Sequence, residues 1–151
     1  MNLTPIILAA AVGIALFTLP TRQTWATPKN GLAFETYFKS AEKQYSLPAG
    51  LLSRMAYQES RYNPNAISTR GAIGIMQIIP RWHPGVNVAN PVDSIFYAGA
   101  LMRKYYNEFK TWPAAIAAYN WGETNVRNKG IEQAPESTKR YIRDVLGDIG
   151  L

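Results

Sequence analysis

Leu51-Leu52-Ser53-Arg54-Met55-Ala56-Tyr57-Gln58-Glu59-Ser60 is the stretch on which the fold turns. Leu51, Met55 and Glu59 recur at steps of four, so on a helix they share one face. Pro48 suits an early position of such a helix. Asn63-Pro64-Asn65 breaks it.

Working outward, Phe34, Tyr37, Phe38, Ala41 and Tyr45 lie at helical spacing and predict a preceding helix from about Leu32 to Tyr45. Residues 60–73 read as a polar loop. Gly74-Ile75-Met76-Gln77-Ile78-Ile79 is expected to form a short helix ended by Pro80, followed by a turn-rich stretch over 81–91. Asn90 is a good N-cap for a long helix, with Pro91 at its first position and Asp93 in its first turn. On that helix Ile95, Ala98, Met102, Tyr105 and Phe109 form a core stripe. Thr111 caps an alanine-rich helix through Asn120, and a last helix begins near Ser137 and carries Tyr141, Val145 and Ile149. No segment alternates at period two for long enough to suggest a sheet. The class is all-α, one domain over residues 32–151.

The N-terminus stands apart. Ile6 to Leu19 holds no charge; it is shorter than the roughly 20 residues of a comfortable membrane span and fits a signal-peptide hydrophobic region of about 7–15 residues. Thr24-Trp25-Ala26 offers small residues for a cut after Ala26, while the first five residues lack the Lys or Arg of a typical leader. Residues 1–26 are therefore expected to be a signal peptide or an N-terminal membrane anchor, and 27–31 a linker.

The 151 residues suffice for one core, and 47% hydrophobic content excludes a disordered tail. The absence of cysteine excludes disulfides and thiolate chemistry. The net charge of +6 is scattered, without the clustered stripe or module of a nucleic-acid binder. A diffusely basic exported protein is attracted to a polyanionic envelope, although ordinary solubility accounts for the charge equally well. His83, the single histidine, cannot make a multi-ligand zinc site, and no nucleophile elbow exists for a serine triad.

Three stretches hold residues suited to chemistry. Glu59 closes an apolar stripe, and a carboxyl held in partly desolvated surroundings has a raised pKa because burial penalises the charged form. A carboxyl protonated near neutral pH is what protonating a glycosidic oxygen requires. On spacing alone, a helix-end glutamate turned to water is the commoner case. Gly71-Ala72-Ile73-Gly74-Ile75-Met76-Gln77 places two glycines where backbone can approach a ligand. Tyr119-Asn120-Trp121-Gly122 offers flat aromatic faces and an amide donor-acceptor pair.

Together these stretches resemble the lytic transglycosylases of the soluble-lytic-transglycosylase type, a lysozyme-like domain related to goose-type lysozyme. The resemblance runs from about Phe34 to Val145. It rests on Glu59-Ser60, on Gly71, Gly74, Met76 and Gln77 as Gly-x-x-Gly-x-Met-Gln, on Ala118, Tyr119, Asn120 and Gly122 as Ala-Tyr-Asn-x-Gly, and on Thr138 and Tyr141 as Thr-x-x-Tyr. It implies that Glu59 is the single catalytic acid/base. Ser60, Gln77 and Asn120 would hydrogen-bond the N-acetyl sugars or the scissile oxygen. Met76 would line the groove floor, and Tyr119 and Tyr141 would orient Glu59 or the substrate. It implies no cofactor.

The chain departs from the family pattern at three places. Glu123-Thr124 stands for a frequent Pro-Gly, Ser137 for a usual Glu, and Trp121 for a smaller residue. Trp121 either stacks on a sugar or shields the core. Glu123 is either a second carboxylate or an exposed residue of a helix-start turn.

The resemblance implies cleavage of peptidoglycan glycan strands with formation of 1,6-anhydro ends. Two rivals remain open here: a muramidase using Glu123 or Asp93 as its second carboxylate, and a non-catalytic glycan-binding module of an envelope-spanning machine. The expected location is the periplasm or cell envelope, secreted or tethered to the membrane through the N-terminus, in a secretion, conjugation, virion or wall-remodelling setting.

Overall fold

The computed structural model describes residues 26–151. Six α-helices carry the domain: α1 (Glu35–Gln44), α2 (Leu51–Ser60), α3 (Pro91–Phe109), α4 (Trp112–Trp121), α5 (Glu123–Lys129) and α6 (Glu136–Ile149). The all-α reading holds, since the described residues contain only isolated β-bridges.

α4 is the hub because Ala114, Ala115, Ile116, Ala117 and Ala118 are all buried. A helix apolar on every side belongs inside a core, and it packs on α3, α5 and α6. α2 lies against α6, and α1 against α3. Leu51, Leu52, Met55, Ile95, Met102, Ile116 and Val145 fill the space between them. Within the expected α3 stripe Ile95, Ala98, Met102 and Tyr105 are buried, while Phe109 packs at the edge.

The helix ends follow the sequence signals. Asn90 Oδ1 accepts from the Val92 amide at 2.9 Å and the Asp93 amide at 3.2 Å, with Pro91 at the first position. Thr111 Oγ1 accepts from the Ala114 amide at 3.4 Å. Asn90→Ala is expected to cost about 1 kcal/mol by orphaning those two amides. Urea unfolding checks it, and an unchanged midpoint would remove the cap from the stability of α3.

Two expectations, the start of the first helix and the short helix over 74–79, need correction. The helix predicted from Leu32 opens as a 3-10 helix, Lys29–Phe34, and becomes α-helical only at Glu35; Tyr37 stays 41% exposed. The 27–31 linker is packed onto the domain. Gly31 is buried, Thr27 Oγ1 pairs with Ser53 Oγ at 2.9 Å, and Asn30 Nδ2 donates to the Arg61 carbonyl at 2.8 Å. The short helix expected over Gly74–Ile79 is instead a tight hairpin-like turn. Ile73 and Ile78 exchange backbone hydrogen bonds at 3.0 and 3.2 Å, and Gly74 and Gln77 have φ of +77° and +49°. Two left-handed residues within four positions cannot continue a helix, and the β-branched isoleucines between and beside them suit extended pairing.

The leader expected over 1–26 lies outside the described residues except for Ala26. Among the described residues no helix is long and apolar enough to cross a membrane.

Candidate active site

Glu59 occupies the last turn of α2, one residue before the helix ends. Arg61 and Tyr62 then both take left-handed backbone, with φ of +54° and +62°. Two successive non-glycine residues in that region are costly, and the cost is borne where the chain must turn sharply. The turn sends the chain back so that the 71–78 segment lies beside the end of α2. Ser60 Oγ bonds the Ile75 carbonyl at 2.8 Å and locks the two together.

Glu59 Oε1 accepts a hydrogen bond of 2.7 Å from the Tyr141 hydroxyl of α6. Burial pushes the Glu59 carboxyl up to about 7, and the Tyr141 bond acts in the opposite direction. Tyr141 is itself buried. Its hydroxyl is held well above the ordinary phenol range by burial and then by the neighbouring Glu59 carboxylate. It therefore remains a donor at any working pH. Tyr119 behaves likewise; its hydroxyl donates to the Met76 carbonyl at 2.8 Å, tying α4 to the same turn.

Glu59 opens into a groove of about 700 Å³ that also meets Gln77, Trp82, Tyr119, Asn120 and Trp121. That volume is in the range of ligand-binding clefts. Asn120 sits on the rim, where the buried Thr138 hydroxyl donates to its Oδ1 at 2.8 Å. With that oxygen held inward, the amide N–H groups are what Asn120 presents to the groove.

The residues singled out in the sequence thus come together around one cleft, though not all in the expected posture. Ser60 is spent on backbone carbonyls. Met76 is fully buried, so its side chain supports the cleft from within the core, and it is the Met76 carbonyl that joins the polar network. Gln77 lines the groove, while its Nε2 donates to the Ala66 and Gly74 carbonyls at 3.2 and 3.0 Å. These two bonds leave its Oε1 as the acceptor on the groove side.

Glu123 also faces the groove, ion-paired with Lys104 at 2.7 Å. It is the first residue of α5, which agrees with a helix-start turn. Asp93 stands exposed in the first turn of α3 and does not line the groove.

Sequence reasoning missed several residues of the wall, Trp82 and His83 among them. His83 Nδ1 pairs with the Tyr97 hydroxyl at 2.9 Å, and burial with nearby Lys104 lowers its pKa, which favours a neutral ring. Trp82 is 66% exposed on the same wall, with the Arg81 guanidinium 4.7 Å from its ring. Both lie in a turn-rich stretch without periodicity, so only the folded chain reveals which way they face. Among the described residues no group of three His, Asp or Glu side chains is placed to hold a metal ion.

The described residues thus form an all-helical domain with one carboxyl, Glu59, pushed up to about 7 beside an open groove. Residues 36–142 match the transglycosylase SLT domain, and the chain belongs to that family. It is 32% identical over 115 residues to the transglycosylase of Enterobacteria phage PRD1, covering 74% of this chain and 41% of that protein. It is 33% identical over 100 residues to membrane-bound lytic murein transglycosylase F of Saccharophagus degradans, covering 59% of this chain and 20% of that one. The chain spans less than half the length of these relatives. The crystal structure of the 70 kDa soluble lytic transglycosylase of Escherichia coli shares the fold, with a TM-score of 0.66 and 24% identity over 76% of this chain and 23% of that one.

Proposed function

We propose that this chain is a peptidoglycan lytic transglycosylase, cleaving the β-1,4 bond between N-acetylmuramic acid and N-acetylglucosamine. The observation that carries the reading is the single carboxyl of Glu59, poised near neutrality on the floor of an open groove. Hydrolytic glycosidases ordinarily use two carboxylates. Here the other groove carboxylate, Glu123, is neutralised by Lys104.

In the first step protonated Glu59 gives its proton to the glycosidic oxygen, and the C1–O bond breaks with its electron pair leaving on that oxygen. The N-acetyl group of muramic acid stabilises the cation. In this reading the Asn120 donors and the Gln77 acceptor hold the amide. The Glu59 carboxylate then takes the proton of the sugar's own 6-hydroxyl as that oxygen bonds to C1. The proton balance closes without water, and the product ends in 1,6-anhydro-muramic acid. A carboxyl that is half ionised near pH 7 can serve both steps. The Tyr141 bond keeps it oriented.

Export to the periplasm or cell envelope, with residues 1–26 as signal peptide or tether, is part of the same proposal. A virion setting is supported by the phage relative, and a membrane-bound one by the other.

Mass spectrometry of purified peptidoglycan treated with the full chain tests the reaction. Anhydro-ended muropeptides are the expected product. Reducing ends would instead mean hydrolysis, with Glu123 the first candidate for the second carboxylate. Binding without release would mean a glycan-binding module.

A further inference from the structure

A second link joins the two helices that meet at Glu59, and neither the family pattern nor the proposed chemistry accounts for it. Arg54, on α2, is only 6% exposed. Burying a guanidinium is unfavourable unless partners meet its donors. Its Nε forms an ion pair with Asp148 and donates to the Asp144 carbonyl at 3.2 Å, both on α6. Gln58, with its amide oxygen turned to the guanidinium, accepts from Nη1 at 2.9 Å, and the Tyr57 ring lies 5.0 Å away.

Tyr141, Asp144 and Asp148 follow one another at steps of three and four along α6, so they share the face turned to α2. The Tyr141–Glu59 bond and the Arg54–Asp148 pair are thus two rungs of one helix-helix contact. At 1.5 Å per residue, Tyr141 and Asp148 are about 10 Å apart along the axis. The helices run antiparallel here, since the later residue on α2, Glu59, meets the earlier residue on α6. Asp144 and Asp148 lie beyond residue 142, where the family match ends.

We infer that Arg54, clamped to Asp148 and Asp144, is a positioning residue that fixes α6 on α2 so that the Tyr141 hydroxyl stays on the Glu59 carboxyl. The inference rests on the proposed role of Glu59. Arg54 touches no substrate and acts through Tyr141. Slackening the clamp lengthens the hydroxyl-carboxylate bond, which favours the neutral acid and moves the Glu59 titration upward.

The charged and titratable groups around this contact separate positioning from a plain charge effect. Arg54 faces Asp148, Tyr141 and Tyr57, and Glu59 faces Tyr141 with Tyr119 nearby. Acting through space alone, removal of the Asp148 anion would lower the Glu59 midpoint. Acting through the clamp, the same change raises it.

The test is a carbon-13 NMR titration of the Glu59 carboxyl in the full chain, for wild type, Asp148→Asn, Arg54→Met, Tyr141→Phe and the Arg54→Met/Tyr141→Phe pair. Asp148→Asn and Arg54→Met should each raise the midpoint by about half to one pH unit. The double variant should titrate with Tyr141→Phe alone. The basic limb of kcat/KM should move by the same amount.

A midpoint that stays put or falls in Asp148→Asn overturns the inference, as do additive shifts in the double variant. Asp148 is 43% exposed at its side chain, so its amide variant should fold even where Arg54→Met does not. The titration needs no turnover. A wild type that releases no anhydro product would overturn the proposed reaction while leaving this result standing.

Discussion

Glu59→Gln should lower kcat/KM on peptidoglycan by at least ~10³-fold while leaving the glycan bound. General acid-base catalysis contributes typically 10²–10⁴ per proton transfer, and in the proposed reaction one carboxyl performs both transfers. The amide has nearly the same shape and cannot give or take the proton. Release of muropeptides, followed by mass spectrometry beside the wild type, checks the loss. Residual activity within tenfold of wild type would mean another group carries the proton.

The same substitution carries a stability effect whose sign follows from the raised pKa. The folded Glu59 carboxyl titrates at about 7, whereas its ordinary value is 4.5. The folded state therefore binds the proton more tightly than the unfolded chain does. Stability is fully present below 4.5 and is lost as pH rises from there to about 7. The full gap corresponds to about 3 kcal/mol, which partial solvent access reduces to about 1–3 kcal/mol. Glu59→Gln should accordingly raise the melting temperature at pH 8 and barely change it at pH 4. Equal shifts at both pH values would show that the carboxyl is not held away from water.

The second large effect lies in the turn beside the cleft. Gly74 has φ of +77°, and a Cβ built there would stand 2.6 Å from the Val88 carbonyl oxygen and 3.6 Å from that of Pro64. Alanine would meet backbone in a conformation that already costs about 1–2 kcal/mol for a residue with a Cβ. Forcing the 86–88 segment outward adds about 1–3 kcal/mol more. Gly74→Ala should thus lose about 2–5 kcal/mol and most activity, because Gly74 and Gln77 sit in one hydrogen-bonded turn. Gly71→Ala is the control. Gly71 has φ of +80° with nothing within 4 Å, so only the backbone term applies. Thermal melts of both variants decide the matter, and matching losses would rule out the close approach to Val88.

Much of this protein was legible before folding. Asn90, Pro91 and Thr111 act through neighbours two or three residues away, so their caps appear where the sequence places them. The α2 stripe and the alanine-rich α4 are equally local statements, since the period of one and the uniform apolarity of the other are read within a few residues. The family resemblance singled out Glu59, Gln77, Tyr119, Asn120 and Tyr141 as candidates for one site. It could not give their postures. Met76 faces the core and Ser60 faces backbone, because each answers to a partner far along the chain.

What the sequence by itself determined is the helices α1, α2, α3, α4 and α6 and most of their boundaries. Each of these depends on spacing within a few residues. Only the tertiary structure decided the pKa of Glu59, the hairpin form of residues 73–78, and the place of Trp82 and His83 on the wall. It also decided the pairing of Arg54 with a helix ninety residues downstream. Desolvation, cross-helix hydrogen bonds and ion pairs arise between segments brought together by the core, and no local period encodes which side chains will meet there.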